Sequence, residues 1–249
     1  MTSDKLNGDV IAAFDAAAAT YDSATQAQRD VARALVARAA REFKSPATVL
    51  DLGAGTGHVV ECALGQWPAA RLTALDAAPA MLARLQAKWP QVAAIRGDAA
   101  RLDSSSRYDL ILSSMMAHWL DEPRAALVRW RGCLAPGGTL CVAAPVAGSL
   151  REWRDLTASA GIADRLWSFP PDNFADGLGA KAELAEFPVT HADATAFLQS
   201  LKSAGAQKAR TGVAPASPAA LRRLLATRKG PFTATFRVAF VILQAEADR

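Results

Sequence analysis

One stretch of this chain concentrates chemistry. Val49-Leu50-Asp51-Leu52-Gly53-Ala54-Gly55-Thr56-Gly57 is an apolar run ending in a turn with glycine at every second position. Glycine lets the backbone take positive φ and lets a ligand reach the main chain without a Cβ in the way. A helix opening after the turn adds unpaired N–H donors. Asp76 ends the next apolar run, 25 residues after Asp51, where a carboxylate can accept both hydroxyls of a ribose. Gly97-Asp98-Ala99 follows a third run, where an acid or amide can meet an adenine amino group. These positions predict a pocket for a nucleoside-bearing cofactor. A dinucleotide fingerprint, G-x-G-x-x-G, would need glycine at 58, and the chain has His58. The pattern present is D-x-G-x-G-x-G.

Metal chemistry is not indicated. Cys62, Cys133 and Cys141 are far apart, no C-x-x-C occurs, and His58, His118 and His191 are equally scattered. The cysteine usage suits a reducing cytoplasm, and MTSDKLNGDV lacks the apolar centre of a signal peptide. No run approaches the roughly 18 apolar residues of a membrane span.

Alternating elements must position the glycine turn. Apolar runs at Thr48–Leu52, Arg71–Asp76, Val92–Arg96, Tyr108–Ser113 and Thr139–Ala144 read as strands. Helical stretches at 57–66, 79–88 and 122–134 separate most of them, which implies βαβ units and a mostly parallel sheet. Asp121 is a candidate N-cap for the last of these helices, and Pro136-Gly137-Gly138 is expected to break it before the fifth strand. Upstream, Asp9 to Phe43 reads as two Ala-rich helices interrupted near Tyr21 by Asp22, Ser23 and Thr25. Downstream, 149–160 reads as a helix, Phe169-Pro170-Pro171 as a break, and Glu183 to His191 as a strand. Asp193 caps a helix closed by Gly205, Ser217-Pro218 opens another, and Phe232 to Leu243 alternates as a last strand.

The 249 residues are 51% hydrophobic, enough for one large domain with its own core, although much of that fraction is Ala. Composition excludes disorder, a collagen-like chain and a disulfide scaffold. The net charge of +4 averages two unlike regions. Residues 1–193 carry −3, whereas 194–245 carry eight basic residues and no acid: Lys202, Lys208, Arg210, Arg222, Arg223, Arg228, Lys229 and Arg237. Such a stretch is either a solubilising surface or a docking face for something acidic.

Taken in order, the D-x-G-x-G-x-G turn, Ala-Leu-Asp at 74–76, Gly-Asp-Ala at 97–99, Tyr-Asp-Leu-Ile-Leu-Ser at 108–113 and Pro-Gly-Gly-Thr-Leu at 136–140 resemble the motifs of class I S-adenosylmethionine-dependent methyltransferases. The flanks narrow the resemblance. Ala13-Phe14 to Tyr21-Asp22 with Gln28, Ser149-Leu150, Phe169-Pro170-Pro171 and Ser200-Leu201-Lys202-Ser203-Ala204-Gly205-Ala206 are similar to malonyl-[acyl-carrier protein] O-methyltransferases of biotin synthesis. The generic core lacks that S-L-K-x-x-G-A element. The last strand begins with Phe232 where a Tyr is common.

The resemblance implies an α/β, Rossmann-like class I methyltransferase. Its sheet would be doubly wound, mostly parallel and seven-stranded, with N-terminal helices, a small helical cap and an antiparallel last strand. It implies one domain, 1–249, divided into N-terminal helices (1–44), cofactor core (45–145) and substrate cap with last strands (146–249). The cofactor would be S-adenosyl-L-methionine, held by Asp51, Gly53, Gly55, Gly57, Asp76, Ala77, Asp98, Ala99 and Ser113. Tyr21, His118 and Trp119 would lie near the methyl group. The acceptor would be the free carboxylate of a malonyl thioester on acyl carrier protein, an acidic partner suited to the basic 194–245 stretch. A carboxylate is ionised near neutral pH, so the reaction needs no general base. Arg151 and Arg154 follow the fifth strand and are candidates for holding the carboxylate, although solvated helix charges are the plainer reading. Met115 and Met116 read as pocket lining and Asp109 as structural. Neither nucleic acid nor membrane is expected as a partner. Another small-molecule or quinone-pathway methyltransferase, or a methyltransferase-fold assembly factor, stays open as an alternative.

Overall fold

The five core strands form where the apolar runs predict them. A computed structural model describes residues 8–103, 105–206 and 217–245. β1 (Thr48–Leu52) lies at the centre, parallel to β2 (Arg71–Asp76) on one side and β4 (Tyr108–Ser114) on the other. β3 (Ala93–Arg96) extends the sheet beyond β2, and β5 (Leu134–Pro145) beyond β4. β7 (Phe232–Gln244) pairs antiparallel with β5, and β6 (Lys181–His191) pairs antiparallel with β7. The order is β3-β2-β1-β4-β5-β7-β6, so the seven strands are mostly parallel with the last one reversed.

Strand alternation sends neighbouring side chains to opposite faces, and both faces are covered. Leu50, Ile111, Leu140 and Val142 pack with Leu127 and Trp130 of α6 (Pro123–Arg131). Val49, Leu110, Leu112 and Cys141 pack on the other face with α3 (Gln26–Glu42), α4 (His58–Gln66) and Leu85 of α5 (Pro79–Lys88). α3 presents Val31, Leu35, Val36 and Ala39 at helical spacing to this second core.

Beyond the sheet lie two smaller assemblies. Ahead of α3 stand α1 (Gly8–Ala17) and the single turn α2 (Tyr21–Ala24), where the sequence suggested one helix before the break. On the carboxyl side, α7 (Arg151–Ser159), α8 (Ala194–Ser203) and α9 (Pro218–Thr227) gather around the start of β7. Trp153, Phe197 and Phe232 form this third cluster, with Leu221 and Leu225 packed against it. Asp193 caps α8 by accepting from the Ala196 N–H at 2.7 Å, and Ser217 caps α9.

Two local expectations change. The N-cap position of α6 is Glu122 rather than Asp121, and its side chain makes no capping bond. The Pro-Gly-Gly segment does not precede the fifth strand but lies inside it. Tyr108 pairs with Leu134 and Leu110 with Thr139, so 135–138 bulge out of the ladder. A Cβ on Gly138 would come within 2.8–3.0 Å of three carbonyl oxygens, which is why the bulge carries glycine there. Among the described residues no helix is long and apolar enough to cross a membrane.

Candidate active site

The glycine turn is fastened to the end of β2. The Gly53 and Ala54 N–H groups donate to the Leu75 carbonyl at 2.8 and 3.1 Å. Asp76 accepts from Gly55 N–H and Ala78 N–H, both at 2.8 Å, so its carboxylate is held in orientation by backbone donors. Each oxygen keeps a lone pair for a ligand. Burial raises the Asp76 pKa, and those N–H groups oppose the rise.

Above this floor lies an open cleft. Gly53, Gly55, Asp76, Ala77 and Ala99 line it from the core, and Tyr21 and Trp119 from above. Gly55 has φ +55, and a Cβ built there would stand in open space with Tyr21 nearest at 3.9 Å. A side chain at 55 would occupy the cleft.

Beneath the turn, Asp51 is 2% exposed, and neither carboxylate oxygen has a hydrogen-bond partner. Burial and the nearby Asp76 charge hold its pKa well above the usual carboxylate range. An orphaned buried carboxylate is costly and points to a missing cationic or N–H-bearing group. The ammonium of S-adenosylmethionine fits that need, and the oriented Asp76 carboxylate fits a ribose. Asp51 and Asp76 are thus acceptors of the kind the cofactor's ammonium and ribose call for, with Asp76 in the lining of the cleft and Asp51 behind it.

Several sequence candidates lie outside the cleft. A Cβ on Gly57 would meet Trp89 at 2.4 Å, so this glycine serves helix packing. Asp98 accepts from Ala100 N–H at 2.9 Å and caps the short turn that presents Ala99. The Ser113 hydroxyl donates to the Leu52 carbonyl at 3.0 Å. Ser114, one residue on and hence on the other side of the strand, lines the cleft instead, with a buried hydroxyl that has no partner. Strand parity was the available signal for that difference. Asp109 accepts from the Ala47 and Thr48 N–H groups at 2.8 and 2.9 Å and is structural.

The N-terminal helices roof the cleft. Ile11, Phe14 and Tyr21 face it from α1 and α2. Asp15 accepts from the Ala80 N–H at 2.6 Å and so caps α5 from another element. Asp22 takes hydrogen bonds from the Thr56 hydroxyl and from Lys88 Nζ, the latter at 2.5 Å, which latches α2 to the glycine turn. Burial works against its charge, but these hydrogen bonds and the Lys88 charge prevail and lower its pKa. The Thr25 hydroxyl donates to the Tyr21 carbonyl at 2.7 Å, so its oxygen accepts from His58 Nε2 at 2.9 Å. The His58 ring stacks on Tyr21 at 5.8 Å, and burial brings its pKa down to about 4. Tyr21 itself is pushed above its usual value by burial and then by Asp76, Asp22 and Asp51, so it stays a neutral phenol.

A second cleft shares Phe14, Tyr21, Met115 and Trp119 with the first. Its other walls are mainly apolar, with Leu150, Leu166, Trp167, Phe169, Leu201 and Phe236 among them, and Gln28 and His118 bring polar groups. His118 is 6% exposed, its Nδ1 has no partner, and burial pushes its pKa down to about 3. Trp119 lies between Phe14, which meets it edge-on at 5.5 Å, and Trp167, tilted at 5.0 Å between ring centres. Met115, at φ +55, turns the chain between β4 and these aromatics. Among the described residues neither lining contains Lys or Arg. Arg154 is paired with Asp164 and also donates to the Ser149 and Trp167 carbonyls, and Arg151 faces Glu186 at 3.7 Å.

Residues 49–138 match the model of the family described as a methyltransferase domain. The chain is 34% identical over 219 residues to a biotin biosynthesis bifunctional protein of Bordetella avium, covering 85% of this chain and 47% of that longer protein. A trans-aconitate 2-methyltransferase of Streptomyces avermitilis is 38% identical over 53% of this chain and 52% of its own. A malonyl-[acyl-carrier protein] O-methyltransferase of Laribacter hongkongensis is 31% identical over 82% of this chain and 75% of its own. That match runs well beyond the cofactor core, and with it the chain belongs to the malonyl-[acyl-carrier protein] O-methyltransferase family.

Proposed function

We propose that the protein transfers the methyl group of S-adenosylmethionine to the free carboxylate of a malonyl thioester on acyl carrier protein, the methyl ester that primes biotin synthesis. The observation that carries this reading is the pair of adjoining clefts. One has the polar fittings of the cofactor, the other is mainly apolar, and Phe14, Tyr21, Met115 and Trp119 form their common wall. When bound, the cofactor supplies an electrophilic methyl on a sulfonium. The chain's residues then orient, align and exclude water.

Asp51 and Asp76 hold the cofactor's ammonium and ribose in this reading, and Gly53, Gly55, Ala77 and Ala99 give it room. Tyr21 and Trp119 border the point of transfer. Neutral Tyr21 serves as a hydrogen-bond donor, not a base. His118, neutral at physiological pH, packs on Trp119 with ring centres 4.7 Å apart and helps to fix it. A reactant carboxylate and a sulfonium cancel their charges on transfer. A dry apolar wall favours that change, because water stabilises the separated charges more than the neutral products.

The carrier protein docks on the basic face in this proposal, which is smaller than the whole basic stretch. Arg237 is engaged by Asp172 at 2.8 Å and by the Ala147 carbonyl, which removes it from the docking set. Lys202, Arg222, Arg223, Arg228 and Lys229 are exposed, and Lys208 and Arg210 lie outside the described residues. The chain would act as one domain with three parts, in a reducing cytoplasm that suits its three free cysteines.

The test is label transfer from methyl-labelled cofactor to malonyl-carrier protein, with glutaryl-carrier protein and trans-aconitate as parallel acceptors. Transfer to the malonyl carrier supports the reading. Transfer to trans-aconitate alone, or to none of the three, refutes it.

A further inference from the structure

The acceptor cleft holds one polar side chain without an assigned task. Gln28 sits in the first turn of α3, three residues after Thr25 and seven after Tyr21. Its side chain belongs to the lining of the cleft, and no hydrogen bond to its amide occurs among the described residues. Its neighbour Gln26, by contrast, is spent on Asp30 at 2.8 Å. An uncommitted amide on a mainly apolar wall is a group suited to a ligand.

The chemistry says what kind of ligand suits it. The acceptor enters as an anion and leaves as a neutral ester. A fixed cation on the carboxylate would bind the reactant tightly and then be left unpaired in an apolar cleft as charge disappears. Tight binding lost during the reaction opposes transfer. A primary amide avoids this. Its N–H donates to the carboxylate before transfer and to the ester carbonyl afterwards, so no charge is stranded.

We propose that Gln28 positions the acceptor carboxylate, donating from its amide to one carboxylate oxygen and leaving the other free to take the methyl. This deepens the methyl-transfer reading and rests on it. Gln28 is thus a substrate-binding residue of the acceptor cleft, and its register on α3 relative to Tyr21 ties acceptor placement to the roof of the cofactor cleft.

The experiment uses the full chain with malonyl-carrier protein and labelled cofactor. Gln28→Leu keeps the approximate volume and removes the donor. A hydrogen bond to a charged group predicts a fall of about 10- to 100-fold in kcat/KM for the acceptor. Cofactor affinity, measured by calorimetry on the same preparations, stays within about twofold and reports that the variant is folded. Gln28→Glu should fall further near neutral pH and recover as pH drops and the new carboxyl protonates into a donor. Gln28→Arg should lower kcat and KM together, because it binds the reactant anion more tightly than the transition state in which that charge is fading. The proposal is overturned if Gln28→Leu matches the wild type, if its loss tracks cofactor affinity, or if Gln28→Arg is faster than the wild type. Should the wild type itself transfer nothing to the malonyl carrier, the activity reading falls and takes this inference with it. Wild-type transfer unaffected by Gln28→Leu sinks the inference alone.

Discussion

Gly205 joins the end of α8 to the roof of the cofactor cleft, and replacing it with alanine should damage both. The residue has φ +72. Its N–H donates to the Lys202 carbonyl at 3.1 Å, and the Ala206 N–H donates to the Leu201 carbonyl at 2.9 Å. That double closure is a Schellman ending, whose left-handed position favours glycine. Alanine there costs about 1 kcal/mol for the backbone conformation alone. A Cβ would also stand 2.9 Å from the Ala13 oxygen and 3.0 Å from Phe14 Cα. Both are backbone atoms and cannot rotate away, so α1 must shift, which adds about 2 kcal/mol of overpacking strain. The sum is about 3 kcal/mol, or roughly 6–12 °C in the melting temperature of a domain this size. Because α1 carries Phe14 into both clefts, cofactor affinity should weaken about fivefold, near 1 kcal/mol. Gly179 is the control, since it has the same φ of +72 and nothing within 4 Å of a built Cβ. Gly179→Ala should lose only about 2–4 °C and keep cofactor affinity. Thermal melts and calorimetric cofactor titrations of the two variants decide the matter. If Gly205→Ala is no worse than Gly179→Ala in both, the close approach to α1 carries no weight.

Two further perturbations test the electrostatics. Asp51→Asn should stabilise the cofactor-free protein by removing a buried carboxyl with no partner, while cofactor affinity falls about 10- to 100-fold. Because the folded pKa of Asp51 is raised, its carboxyl keeps a proton that the unfolded chain releases, so stability is full below the ordinary carboxylate pKa and declines as pH rises through the folded value. Chemical denaturation across that window should show a flatter slope in Asp51→Asn than in the wild type, and equal slopes would refute the assignment. Reversal of Lys202, Arg222 and Arg223 to Glu should lower kcat/KM for malonyl-carrier protein by at least about tenfold and flatten its salt dependence, with cofactor affinity kept. Activity that survives the reversal rules out docking on this face.

Elements were more legible than contacts in this chain. Strand and helix positions follow from local apolar period, and the helix Pro79–Lys88 coincides with its predicted 79–88 span. The bulge at 135–138 was not legible, because its cause is a non-local approach of Gly138 to the carbonyls of Tyr108 and Asp109. Site residues divide in the same way. Gly53, Gly55 and Asp76, singled out from pattern, all line the first cleft, since turn and strand end are local. Asp98 was found by type, but its carboxylate is used by its own turn. Ser113 and Ser114 differ only in which side of β4 they face, and a one-residue error moves the choice from cleft to core.

The roof was the least visible part, and the reason is physical. Residues 8–25 are Ala-rich and have little amphipathic pattern of their own, so their sequence does not say what they cover. Their position comes from a small apolar cluster of Ile11, Phe14, Ala18 and Tyr21 with Ala78, Ala80 and Met81, and from single polar contacts made by distant elements: Asp15 on the first turn of α5, Asp22 on Thr56 and Lys88, and the Thr20 hydroxyl on the Ser203 carbonyl at 2.8 Å. Each is individually modest, and Asp22 and Lys88 are partly exposed, so their ion pair adds little stability. Together with that small apolar cluster they hold three separate elements against α1 and α2. One contiguous stretch also brings Phe14 and Tyr21 to the first cleft and Gln28 to the second, the proposed cofactor and acceptor sites. Placement of both reactants therefore depends on the same latch, and loosening Asp22 should impair the two together.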